Sequence, residues 1–385
     1  DGNMKHILGS CVLAGLFLFC ACDDTLDTKV TWQIGDSDTW RVPELAQGVL
    51  YKAYNGIANR PDCFEDNFLD CATDNAVTNL RSSSVYKLNM GGMTAFNNPI
   101  GNWSNAYNML NYVNSFLENG LTDQVQYNRT DPEVDKQIKL RLEGESYFLR
   151  AWCYYSMVKW YGGVPIVTKV QDPVESSFVP RSTTKACIEF ICNDLDIAAD
   201  MLRAKTTNGG WNGDNYGRVT TASAMALKGR VLLLWASPLF NRANDKGRWA
   251  AAYEYIKESI KDINACGNHL YTTGNNINGS DFAKMFTVIQ NPEMVFGTLH
   301  NMKQDDDTKK NNNWERFIRP KNTTGQGLEA SAMFVDMFPM KDGKRPRGLN
   351  TYKKLNESED EANIKDYPFM NRDPRFYRTF AMPGF

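Results

Sequence analysis

Two groups of carboxylates are spaced closely enough to share a substrate: Asp70 with Asp74, and the run Asp305-Asp306-Asp307. Two carboxyl groups flanking a glycosidic bond, one protonating the leaving oxygen and one activating water or attacking the sugar, are what a glycoside hydrolase needs. The run at 305–307 is followed by Lys309 and Lys310, so it reads better as a solvated loop of mixed charge. A different chemistry is available where aromatic rings stand among amides. Trp314 lies inside Asn311-Asn312-Asn313-Trp314-Glu315-Arg316, and the 75–100 stretch carries Arg81, Tyr86, Asn89, Phe96 and Asn98. A sugar stacks its apolar C–H face on such rings, while amides and guanidinium groups take its hydroxyls. Each ring also has a plainer use. Trp314 could simply cover a hydrophobic edge, and Tyr86 and Phe96 could fill core.

Other chemistries find little support. The chain has 385 residues but three histidines, His6, His269 and His300, too scattered for a histidine metal site. It has no G-x-S-x-G, Walker A or G-x-G-x-x-G run, so neither a nucleotide cofactor nor a metal is expected. A net charge of −2 lacks the basic field that a nucleic-acid partner would require. Among the cysteines, Cys63, Cys71, Cys153, Cys187, Cys192 and Cys266 have spacings that fit neither zinc nor a dense disulfide frame. Cys153, Cys187 and Cys192 fall in helical patterns and read as small core residues, whereas Cys63 and Cys71 could pair across a loop.

The elements that must position these residues are helices. Trp103, Ala106, Leu110, Val113 and Leu117 step by three or four, and Gly120 stops the run. Ile188, Ile191, Leu195, Ala198 and Leu202 repeat the pattern, as do Trp249, Ala252, Ile256, Ile260 and Ile263 before Gly267. Residues 141–161 are apolar on more than one face, and Thr221 can cap a helix over 222–236 that Pro238 ends. The spacing predicts helices over 101–120, 141–161, 185–204, 222–236 and 249–266. An all-α fold of degenerate tetratricopeptide-type hairpins follows, with an irregular bundle as the alternative. The helices use their aromatics for packing, so ligand binding falls to the long Asn-, Asp-, Gly- and Ser-rich segments at 60–100, 205–218, 267–282 and 301–327.

The N-terminus sets a compartment. Residues 1–3 look like upstream sequence, and Met4, Lys5 and His6 then lead into an apolar run from Ile7 to Cys20. That run suits a signal-peptide core and is short for a membrane span. Phe19-Cys20-Ala21-Cys22 resembles a bacterial lipobox with Cys22 as the acylated residue, although ordinary secretory cleavage nearby is the competing reading. The expectation is a signal peptide over 1–21, a lipidated tether over 22–40 and one helical domain over 41–385. The membrane is then met through the lipid anchor alone.

Several blocks carry a resemblance. Glu143-Gly144-Glu145 leads into Phe148-Leu149-Arg150-Ala151-Trp152-Cys153-Tyr154, and Tyr161-Gly162-Gly163-Val164-Pro165 closes that helix. Gly217-Arg218-Val219-Thr220 precedes Ala226-Leu227-Lys228-Gly229-Arg230-Val231-Leu232-Leu233, which ends in Ala236-Ser237-Pro238-Leu239-Phe240-Asn241. Asn291-Pro292-Glu293, Phe338-Pro339-Met340-Lys341-Asp342-Gly343 and Asn371-Arg372-Asp373-Pro374-Arg375 follow in order. The ordered set resembles the SusD/RagB family, and Asp23-Asp24 after Cys22 resembles the surface-export signal of Bacteroidetes lipoproteins. The resemblance implies a SusD-like helical scaffold with long ligand-binding loops, lipid-anchored in the outer membrane and exposed at the cell surface. It implies a non-catalytic protein that binds a glycan or oligosaccharide, or in some relatives a peptide, and serves a SusC-like TonB-dependent transporter. Family members are usually longer, so a C-terminal part is expected to be missing. A secreted glycoside hydrolase is the rival class, and a helical-repeat adaptor without a small ligand is a third. Glu145, Arg150, Arg218 and Arg230 read as scaffold charges rather than as an active site.

Overall fold

The computed structural model describes residues 36–59, 69–78, 80–94, 102–171, 179–203, 216–274, 277–297, 328–344 and 369–380. After a helical turn at Asp36–Thr39, helix α1 runs Pro43–Asn59. Pro43 occupies the first turn, where a missing N–H costs nothing, and Ala46, Leu50, Ala53 and Ile57 form one buried face. This long helix is additional to the five expected. A short helix, α2 (Ser84–Asn89), precedes those five: α3 (Asn102–Asn119), α4 (Pro132–Tyr161), α5 (Thr184–Arg203), α6 (Thr221–Ala236) and α7 (Lys246–Ala265).

The largest difference in extent is α4, which begins at Pro132 and not at 141. Asp131 accepts the N–H groups of Glu133 and Val134 at 2.9 and 3.2 Å, and Pro132 supplies a first turn with no N–H to satisfy. The added turns are polar, with Glu133, Asp135, Lys136 and Lys139, so hydrophobic spacing does not reveal them. In α6 the cap is Thr220 in place of Thr221. Its hydroxyl accepts Ser223 N–H, and the Ser223 hydroxyl accepts Thr220 N–H, both at 3.2 Å.

Contacts fix the helix directions. Gly56 meets Met109 and Lys52 lies over the Tyr112 ring, so α1 and α3 are antiparallel. Gly144 meets Leu202, Arg150 pairs with Asp194, and Gly163 meets Ser182, which makes α4 and α5 antiparallel. Thr221 with Ala199 and Lys228 with Asp196 reverse α6 on α5, and Gly229 with Ile256 and Trp235 with Arg248 reverse α7 on α6. Each hairpin packs on the next, which is the expected all-α arrangement of tetratricopeptide-like pairs. One core runs through the stack, including Leu50, Leu110, Phe116, Phe148, Leu149 and Ile191. Cys153 and Cys187 belong to it, while Cys192 packs at its edge.

At α7 the burial departs from expectation. Ala252 and Ser259 are buried, whereas Trp249 and Ile260 are exposed at 40% and 49%. Among the described elements this helix packs mainly on α6, with Arg203 of α5 reaching Asp262 at 3.4 Å, so its covered stripe is narrow and the two apolar side chains fall beside it. Tyr253 also points to solvent, so the long helices do not spend all their aromatics on packing.

Gly162 ends α4 with φ of 69°, and its N–H reaches the Val158 carbonyl at 3.0 Å. A Cβ on Gly163 would stand 2.0 Å from the Ser182 carbonyl oxygen, so only glycine allows this close passage. The extended exit that follows is held by side chains. Tyr107 donates to the Pro165 carbonyl at 2.8 Å, and Asn114 donates to those of Val167 and Lys169 at 3.1 and 3.3 Å. The Tyr154 hydroxyl accepts Val167 N–H at 2.7 Å, and Glu118 accepts Val170 N–H at 2.9 Å.

Beyond the stack lie a short helix α8 (Ser280–Met285), a two-stranded sheet of β1 (Ala76–Thr78) and β2 (Leu328–Ala330), and two more short helices, α9 (Ala332–Met337) and α10 (Phe376–Thr379). The stretches 60–100 and 267–282, expected as irregular loops, therefore contain β1, α2 and α8. Phe334, Phe338, Phe376 and Phe380 form an aromatic cluster with ring centroids 5.0–5.8 Å apart. Buried Arg372 sits over the Phe376 ring and donates to the Phe338 carbonyl at 2.6 Å. No described helix is long and apolar enough to cross a membrane.

Candidate ligand-binding face

The sheet brings together segments far apart in sequence. β1 and β2 pair antiparallel, with Val77 opposite Glu329. Ser331 continues the junction: its N–H donates to the Asn75 carbonyl at 2.9 Å and its hydroxyl to the Asp74 carbonyl. Residues 328–331 are thereby fastened beside the segment that carries Arg81, Tyr86 and Asn89. Trp314, Phe96 and Asn98 lie outside the described residues, as do Cys22, Cys63 and Asp305 to Asp307.

A small core supports this face. Ser83 caps α2 by accepting Tyr86 N–H at 3.0 Å, which turns Val85 and Leu88 toward Cys71, Ala76 and Trp160. Cys71 is a buried free thiol, and burial, reinforced by neighbouring Asp70, pushes it up to about 11. Asn89 donates its amide to the Cys71 carbonyl, so that group braces α2 against the turn at Leu69–Ala72. Tyr86 is half-buried on α2, while Arg81, Met90 and Met93 are exposed. Asp70 and Asp74 are exposed turn residues.

The charged residues of the longer motifs are tied into the scaffold. Glu145 is wholly buried and meets the Arg218 guanidinium through two 2.8 Å hydrogen bonds, with Arg141 adding one at 3.1 Å. Arg218 also donates to the Tyr51 hydroxyl at 3.0 Å, and Tyr54 accepts Val219 N–H at 3.2 Å. Burial, with Glu145 beside it, raises the Tyr54 hydroxyl well above its ordinary value, so it stays protonated. Arg150 pairs with Asp194 at 2.7 and 2.8 Å between the Tyr147 and Phe190 rings. Glu145 and Arg150 thus serve separate inter-element pairs. Among the described residues, no group of three or more His, Cys, Asp or Glu is placed to hold a metal.

A feature absent from the sequence reading is a cavity of about 330 Å³ between the end of α7, the start of α6 and the turn at 290–295. Tyr216, Gly267 and Asn268 fall in the polar segments 205–218 and 267–282, and Asn291 and Pro292 in a motif block, but nothing in the sequence shows that these stretches meet.

Comparison with known proteins agrees with the scaffold. A family model described as starch-binding associating with outer membrane matches residues 26–233, and one described as the SusD family matches residues 292–384. A SusD-like protein of Bacteroides ovatus is 25% identical over 158 residues, covering 41% of this chain and 26% of that protein. One from Formosa agariphila is 21% identical over 194 residues, covering 50% of this chain and 36% of that protein. The crystal structure of a SusD-like protein from Bacteroides fragilis superposes with a TM-score of 0.67 at 24% identity, covering 89% of this chain and 61% of that one. A laminarin-binding SusD-like protein superposes with a TM-score of 0.52 at 19% identity, covering 77% of this chain and 57% of that one. The chain therefore spans less than two thirds of the length of each of these relatives. With more than half of its residues matched by one family model and its C-terminal part by another, the chain belongs to the SusD/RagB family.

Proposed function

We propose that this chain is a non-catalytic lipoprotein of the outer-membrane surface that binds a glycan and passes it to a SusC-like TonB-dependent transporter. The observation that supports the reading is the β1–β2 junction, which pairs Leu328–Ala330 with Ala76–Thr78 on the side of the scaffold holding Arg81 and Tyr86. Family membership supports carbohydrate as the ligand class, and the exposed position of Arg81 leaves its guanidinium available to hydroxyls. The apolar run before Cys22 supports a lipid anchor at that residue. Within this reading Trp314 is the stacking platform, and Tyr86, Phe96, Asn89 and Asn98 supply further contacts.

A glycan array identifies the ligand, and Trp314→Ala then tests the platform. Loss of one stacking ring costs roughly 1–3 kcal/mol, or about ten- to hundredfold in affinity, with the melting temperature nearly unchanged. If affinity is untouched, the platform lies elsewhere; binding of peptides in place of glycans would move the ligand class. Long incubation should leave the bound glycan intact. Turnover that disappears in Asp70→Asn or Asp74→Asn would overturn the non-catalytic reading. Mass spectrometry of the mature N-terminus should find acylated Cys22 with residues 1–21 removed, and a free amine at any other residue would refute the anchor.

A further inference from the structure

We infer that the cavity at the junction of α6, α7 and the 290–295 turn is a second binding site, shaped for a single neutral sugar ring. Its wall includes Tyr216, Asn268, Gln290, Asn291, Met294 and Val295, and none of the described lining residues carries a charge. An uncharged lining disfavours anions and cations alike, since neither would find a partner for the charge it brings in from water. The wall has two kinds of surface. Tyr216, Pro292, Met294 and Val295 bring apolar groups, and Asn268 and Gln290 bring amides. A pyranose has the matching two surfaces, a C–H face and a rim of hydroxyls, and a cavity of about 330 Å³ accommodates one ring.

The wall is fixed before any ligand arrives. Asn268 donates to the carbonyls of Pro292 and Met294 at 3.1 and 3.2 Å, which holds the turn against the end of α7. Asn291 donates to the carbonyls of Met285 and Val288 at 2.8 and 3.0 Å and accepts the N–H groups of Glu293 and Met294 at 3.0 and 3.1 Å. Ser223 reaches the Val295 carbonyl at 2.9 Å, and Tyr216 donates to the Ile289 carbonyl. With both amide donors of Asn268 engaged, its oxygen remains as an acceptor, and exposed Gln290 supplies an acceptor and two donors at the rim. Such a preformed pocket avoids the ordering cost that a mobile loop incurs on binding.

The cavity lining contains none of Arg81, Tyr86 and Asn89, the described residues of the surface platform proposed above, so the two proposals are tested separately. Calorimetric titration of the whole chain with D-glucose, D-galactose and D-mannose, with D-glucuronate as the charged control, tests it directly. At least one neutral sugar should bind saturably at millimolar concentration, and glucuronate should compete with it poorly. Gln290→Ala removes a rim amide without touching the core and should weaken binding about fivefold, the value of one neutral hydrogen bond. Met294→Trp should fill the cavity and abolish binding, with the melting temperature confirming that the variant folds; if it does not fold, Gln290→Ala decides alone. Trp314→Ala should leave monosaccharide binding unchanged, which separates failure of the platform from failure of the cavity. The inference is overturned if no neutral sugar saturates, if glucuronate binds as well, or if Gln290→Ala binds like the parent.

Discussion

Glu145 has lost all contact with water, so its charge must be answered inside the protein. Arg218 answers it with a planar two-pronged contact that lysine could not reproduce, and Arg141 covers one of the same oxygens. Three parts of the chain meet at this point: α1 through Tyr51 and Tyr54, α4 through Glu145, and the approach to α6 through Arg218. Breaking a buried pair by removing one partner leaves a charge stranded, which costs about 3–5 kcal/mol. Arg218 keeps some exposure and Arg141 remains, so Arg218→Met should fall at the lower end of that range. Chemical denaturation is the measurement, and a midpoint equal to the parent's would show that the contact contributes nothing. Glu145→Gln keeps the shape but removes the charge, so it should destabilise less than Arg218→Met does. That Glu145 is a scaffold residue was legible from its place within an apolar helix; its partner was not. Arg218 lies 73 residues away, and no local rule couples the two.

At the scale of elements, legibility follows the period of the burial. α3, α5 and α6 bury a stripe against neighbours on one or two sides, and their extents agree with the apolar spacing to within about a residue at each end, the usual scatter of helix boundaries. α4 escapes that logic in its first turns, which are polar and are set by the Asp131 cap. Asp131→Ala should cost about 1 kcal/mol, the usual value of such a cap, and should loosen amide protection in the first turn alone, as hydrogen exchange can show. Loss of protection along the whole of α4 would mean that the cap is not a local device. α2 was missed for the opposite reason. Its six residues are too few to display a period, and Ser83 with Val85 and Leu88 reads equally well as loop. The exit at 164–170 was legible as extended chain from Gly162, Gly163 and Pro165, but not as a strap held by α3. Asn114→Leu removes the amide that holds Val167 and Lys169, and it should make that strap sensitive to protease while the helices stay protected. A strap as resistant as the parent's would assign its order to packing in place of these hydrogen bonds.

At the scale of the whole molecule, the ligand face proposed above has to be built at the side of a stack of helical hairpins. Short elements do this by pairing distant segments. β1 enters from the N-terminal third, β2 returns from beyond residue 327, and α9 and α10 close an aromatic cluster behind them. The antiparallel register was invisible in the sequence, because three-residue strands such as Ala76–Thr78 carry no alternation long enough to read. It is nevertheless testable. Val77 and Glu329 stand directly opposite one another, so their Cα atoms fall at the separation of about 4.5–5.5 Å typical of an antiparallel pair, within reach of a disulfide. The double variant Val77→Cys/Glu329→Cys should therefore cross-link under mild oxidation, giving one linked peptide pair by mass spectrometry. Closing so long a loop should stabilise the fold by about 2–4 kcal/mol, and reduction should reverse the gain. The functional readout is sharper still. If the two segments hold the ligand as a preformed face, the locked protein binds its glycan as tightly as the reduced one, because no separation of β1 from β2 precedes binding. If binding requires the strands to part, oxidation abolishes it and reduction restores it. Failure to cross-link in the folded protein would instead place Leu328–Ala330 away from Ala76–Thr78, and the proposed ligand face would go with it.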